Sequence, residues 1–216
     1  MESQSLLMER DLVVKSIIKG GYKIGEDLTK LKIGVIELSE WNNPKENPYT
    51  SNRLFTSEID GTPITYYLDH PKIDEYSKMF YQGQFAVSDD SITFSFLDSL
   101  ITTNYPVQNF YLFVFNSVLD ISDGALAEIM GNYCIAYLER SPCNFIGIKS
   151  NKLYSEKYHK WISSAAYEYY FAEEPIQTIN KQIDLIKPKV EANCANQVNE
   201  LEKIRSRLIK FVKENE

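Results

Sequence analysis

The chain has 216 residues, 44% hydrophobic and 25% charged, with 30 acidic against 23 basic side chains and a formal net charge of −7. That length and composition suit a globular protein whose core needs neither disulfides nor metals. The acidic balance disfavours nucleic acid and anionic membrane as partners, because both attract fields of Lys and Arg.

Residues 5–18 place Leu6, Leu7, Val13, Val14, Ile17 and Ile18 at helical spacing, and Gly20 and Gly21 stop that helix. Residues 22–40 suit a helix or a strand equally. Residues 41–51 (WNNPKENPYTS) form a loop rich in Pro and Asn, the best internal boundary in the chain. Between 53 and 68, Asp60-Gly61 separates two β-rich runs and predicts a small hairpin, with Pro63 confining the second arm to an edge.

From Pro71 onward the pattern is helical. Pro71 suits a first helical turn, with Ile73, Tyr76, Met79 and Phe80 behind it and Gly83 at the end. Ser88, Asp89 and Asp90 are candidate N-caps for a helix whose face is Ile92, Phe96, Leu97, Leu100 and Ile101. Pro106 opens a run that is apolar all round, the mark of a buried helix. Ser122 is the expected N-cap of the next, which carries Leu126, Ile129, Met130, Tyr133 and Tyr137 until Pro142. Residues 143–154 read as irregular or a short helical turn. Tyr158, Trp161, Ile162, Ala165 and Tyr169 form the inner face of a helix over 155–172.

Pro175 restarts the helix, and Ile176, Ile179, Ile183, Ile186 and Val190 follow in steps of three and four. A second register runs through Cys194, Leu201, Ile204, Leu208 and Phe211. Pro188 lies just before the shift, which predicts two helices or one kinked there, at a cost of ~3 kcal/mol for a proline inside a helix. The expected fold class is mainly α: an irregular multi-helix bundle or short helical stack with the small hairpin. Three segments follow, 1–52, 53–172 and 173–216, expected to pack as one unit.

The chemistry is sparse. Cys134, Cys143 and Cys194 are an odd, widely spaced set without a CxxC pair, which argues against a disulfide framework and against zinc. Gly20, Gly21 and Gly25 make GGxxxG, not a phosphate loop, and no GxSxG elbow exists. His70 sits in a turn beside acidic residues whose capping roles explain them, and His159 is a lone histidine on a helix. Of the acidic pairs Glu37/Glu40, Asp89/Asp90, Asp120/Asp123 and Glu173/Glu174, three fall at helix ends, where capping accounts for them. No catalytic, cofactor-binding or metal-binding residue is expected.

The sequence therefore points to a non-enzymatic protein-interaction or scaffolding role. The C-terminal helices would bind a partner protein or a second copy. The seam residues Leu201, Ile204, Leu208 and Phe211 are one set of contact candidates. Tyr167 and Tyr170 are the other, because the crowded run AAYEYYFAEEP cannot turn every ring inward. The alternative is a hydrolase or small-ligand-binding protein with His159, Tyr and Glu lining a pocket. The first residues, MESQSLLMERDLVV, interrupt their apolar positions with Glu9, Arg10 and Asp11, unlike an export signal. No run approaches the ~20 apolar residues of a membrane span. The expected location is the cytoplasm, though an export leader lying outside this sequence is compatible with it.

Overall fold

A computed structural model describes residues 56–215. The expectations for 1–52, Glu37 and Glu40 among them, and for the start of the first hairpin arm lie outside the described residues. Asp60 and Gly61 both take positive φ (47° and 77°), as a tight two-residue hairpin turn requires. The hairpin is small: β1 (Glu58–Ile59) pairs antiparallel with β2 (Thr62–Pro63), Ile59 opposite Thr62. The β-rich second arm does not continue. ITYYL instead winds into the short helix α1 (Ile64–Leu68), which buries Tyr67 against Phe110. Tertiary burial of one ring overrides the β preference of five residues.

Pro71 lies in a turn, not in the first turn of a helix. Helix α2 (Glu75–Tyr81) begins four residues later, where the carboxylate of its N-cap Asp74 accepts from Ser77 N at 2.8 Å. Tyr111 fixes that cap to the core: its hydroxyl donates to Asp74 Oδ2 at 3.0 Å and accepts from Asp74 N at 3.2 Å. Asp69 caps the end of α1 rather than starting α2. Of the three candidate caps at 88–90, Asp90 starts α3 (Ser91–Thr102), accepting from Thr93 N at 2.7 Å. Phe96, Leu97 and Leu100 are buried on α3, whereas Ile92 is exposed and Ile101 half-buried.

Helix α4 (Val107–Ile121) is the axis of the fold, with twelve of its fifteen residues buried. Its polar positions are satisfied inside. Asn116 donates through Nδ2 to Leu112 O at 2.8 Å and accepts from Trp161 Nε1 at 2.9 Å. The expected cap Ser122 instead ends α4, and Asp123 stands at the start of α5 (Gly124–Arg140). Pro142 both stops α5 and opens α6 (Pro142–Gly147), followed by 3-10 turns at 148–150 and 155–157.

Helix α7 (Tyr158–Tyr170) packs against α5 so closely that a Cβ on Gly131 would lie 2.5 Å from Ser164 O and 2.9 Å from Glu168 Cβ. The five expected inner residues of α7 are all buried. Helix α8 (Pro175–Asn193) continues through Pro188, so of the two expected outcomes the division into two helices does not occur there. Ile179, Ile183, Ile186 and Val190 keep one buried face across it, and their burial offsets the proline's lost hydrogen bond. The register shift occurs later, at Cys194 and the 3-10 turn 195–197, before α9 (Val198–Asn215). Helix α9 folds back antiparallel to α8, with Arg205 reaching Asp184, and lies parallel to α7, with Tyr158 at Glu200 and Tyr170 at Asn215. The apolar core is continuous from Ile59 to Val212.

The cysteine expectation is corrected. Cys143, at the start of α6, forms a disulfide with Cys194 at the break between α8 and α9, with Cα atoms 6.0 Å apart. Cys134 is a buried thiol inside α5, and burial pushes its pKa up, which keeps it protonated and inert.

Candidate interaction surface

The C-terminal seam is in use within the chain itself. Leu201, Ile204 and Leu208 are at most 1% exposed, and Phe211 is half-buried against the same core. Their apolar pattern is met in cis by α7 and α8, so as contact candidates these residues are already occupied. The seam's polar flank is also engaged. Glu200 receives Lys149 at 2.8 Å, Lys203 at 3.3 Å and the Tyr158 hydroxyl at 3.3 Å, and the Arg207 guanidinium lies 5.8 Å from the Tyr158 ring centre. Partial burial acts to raise the Glu200 pKa, but the two lysines outweigh it and hold the carboxyl below its usual range. Arg205 binds Asp184 at 2.6 Å and Glu202 at 3.0 Å, joining α9 to α8.

The second set of candidates lies elsewhere. Helix α7 turns Trp161, Ile162, Ala165, Ala166 and Tyr169 inward, which forces Tyr167 to the outside. The helix ends at Phe171, four residues on, so that ring falls beside Tyr167. The Tyr167 and Phe171 centroids are 5.0 Å apart and edge-on, and Tyr170 meets Phe171 in the same manner at 5.2 Å. Phe171 is 65% exposed and Tyr167 44%. Tyr170 is half-buried and donates to Asn215 O at 2.9 Å, which brings the ends of α7 and α9 together. Three aromatic rings thus form one exposed edge at the α7–α8 junction. Phe171 was missed from sequence because its direction depends on where α7 stops; its spacing of four from Tyr167 was the available signal.

The residues of the alternative pocket are not gathered. His159 is exposed on α7. His70 Nδ1 accepts from Lys72 N at 3.2 Å and its ring leans on Tyr66, a turn-stabilising role. An open depression is lined by Glu174, Gln177, Thr178, Asn180, Lys181, Asp184 and Leu185, all on α8 or its N-cap. It contains neither histidine. Asp120 pairs with Lys157, which ties α4 to the start of α7. Among the described residues no group of three His, Cys, Asp or Glu side chains is placed to hold a metal.

A buried tyrosine cluster beneath the hairpin turn also escaped the sequence. Tyr67, Tyr137 and Tyr154 are all within 2% of full burial, near Asp60, which accepts from Asn151 at 3.2 Å. Burial raises the pKa of all three hydroxyls, with the Asp60 charge adding to it, so they stay neutral. The cluster holds the hairpin tip on the bundle and offers no activated group.

No helix among the described residues is long and apolar enough to cross a membrane. No family model, curated protein or solved structure matches the chain.

Proposed function

We propose that this chain is a non-enzymatic protein-interaction module whose contact surface is the aromatic edge Tyr167, Tyr170 and Phe171. The observation that carries the reading is Phe171, a large apolar ring 65% exposed and stacked edge-on with two tyrosines, one of them pinned to α9. Buried aromatics dominate interface energetics because each removes about 150–250 Å² from water at little entropic cost. The polar rim and rigid helical support match the anatomy of such surfaces.

The Cys143–Cys194 bond favours an oxidising compartment over the cytoplasmic expectation, because the cytosol holds such thiols reduced. The module would then meet its partner outside the reducing cytosol.

A photo-crosslinking residue placed at position 167 tests the reading in the producing cells. The expected result is a discrete adduct from position 167 that is absent from exposed position 153 and disappears on Phe171→Ser. Identical adduct patterns from both positions would refute the edge as a contact surface.

A further inference from the structure

Resting on the docking reading above, we propose that the occupant of the aromatic edge is a cationic segment of a partner protein, an Arg- or Lys-bearing stretch whose charged group stacks on Tyr167 and Phe171. Exposed aromatic faces attract cations through the ring quadrupole, and Arg is the commonest partner. That alone would not set the sign of the partner, but the surroundings of the edge do.

Glu173 and Glu174 are both exposed within three residues of Phe171. Glu168 lies half-buried one residue beyond Tyr167, its Cβ facing Gly131 of α5. Helices α5 and α7 run antiparallel, since Tyr137 meets Trp161 while Gly131 meets Ser164 and Glu168. One turn before Gly131, the exposed Glu128 therefore stands at the same end of the bundle. From α9 come Glu214 and two lysines, of which Lys210 sits 3.6 Å from Glu214 and Lys213 is exposed. Five carboxylates and two lysines thus lie at the end of the bundle that carries the rings.

The Tyr170–Asn215 hydrogen bond places the C-terminal ends of α7 and α9 side by side, while α8 opens at Pro175 with the opposite dipole pole. The helix ends therefore offset one another, and the rings and carboxylates set the sign; the whole chain carries −7.

The test titrates the isotope-labelled full chain with three synthetic probes of equal length: a Gly-Arg repeat, a Gly-Glu repeat and a neutral amphipathic Leu-Gln peptide. Aromatic resonances of Tyr167, Tyr170 and Phe171 are followed by NMR at low and moderate salt. The Gly-Arg probe is expected to shift these resonances selectively. Tyr167→Leu with Phe171→Leu keeps the apolar area, removes the π faces, and should weaken that probe by about 3- to 30-fold. Glu173→Gln with Glu174→Gln should weaken it and flatten its salt dependence. All four positions are solvent-facing, and circular dichroism with Trp161 emission confirms that each variant stays folded. Equal binding of the Leu-Gln probe to the same rings would overturn the cationic chemistry while leaving the docking surface standing. Failure of every probe together with loss of the position-167 adduct would remove both readings. A self-association broken by Phe171→Ser would assign the edge to a second copy and overturn the proposal.

Discussion

Removing the Cys143–Cys194 bond should destabilise the fold by about 4 kcal/mol. The two cysteines are 51 residues apart, and the bond closes a loop that contains α6, α7 and α8. In the chain-entropy treatment, a cross-link of that span costs the unfolded ensemble about 14 cal/mol/K, or about 4 kcal/mol at 25 °C. Ile146 and Val190, close in sequence to the bonded cysteines, are buried in the apolar core, so the serine variants are expected to fold. Cys143→Ser, Cys194→Ser and the reduced wild type should each lose about the same stability, because each opens the same loop. With a urea slope of about 2 kcal/mol/M, the unfolding midpoint should fall by about 2 M. A thiol count in denaturant gives an independent check: one reactive thiol, Cys134, in the untreated protein and three after reduction. Three thiols without reduction, or an unfolding midpoint indifferent to reductant, would refute both the pairing and the compartment argument built on it.

Gly131→Ala should destabilise by about 1–3 kcal/mol, because its Cβ would meet the Ser164 carbonyl at 2.5 Å and α5 must move off α7; thermal unfolding reads this directly. Asn116→Leu removes the acceptor of the buried Trp161 Nε1–H while keeping the side chain's branching and heavy-atom count, and should cost about 1–3 kcal/mol, with a change in Trp161 emission. For Glu200, the folded pKa lies below the usual 4.5, so its contribution is present above that value and is lost as pH falls through the folded pKa. Glu200→Gln should therefore lie below wild type near neutrality and converge with it as pH falls through the lowered folded pKa, as followed by urea midpoints across pH. Convergence in the opposite direction would mean that burial, not the lysines, governs the carboxyl.

The helical faces were legible because burial repeats at three and four: the inner residues of α7 and the Ile179–Val190 stripe of α8 are as the spacing predicts. The hairpin turn was legible because Asp-Gly fits positive φ. Other features depend on partners distant in sequence. Whether ITYYL is strand or helix is decided by the seat of Tyr67 on Phe110, which no five-residue window contains. At Pro188 the local cost points to two helices or a kinked one, and the buried stripe on either side keeps the helix continuous. An amphipathic seam declares that Leu201, Ile204 and Leu208 will be buried, not whose core will bury them. The disulfide was hidden for the same reason: spacing in sequence carries no word of the 6.0 Å that separates Cys143 and Cys194 in space. The aromatic edge was half legible. Crowding predicted that some rings face outward, and the end of α7 decides which.

The hydrogen bond from Tyr170 to Asn215 links the edge to the last residue of α9. Helix termini normally fray, and their amides exchange fastest. Here the last turn of α9 is tethered by a residue of the contact surface, so occupation of that surface and the opening of the α9 end share one equilibrium. Whatever settles on Tyr167 and Phe171 and holds Tyr170 still should slow amide exchange at Phe211 to Asn215, a signal read without labelling or knowing the partner's own contacts.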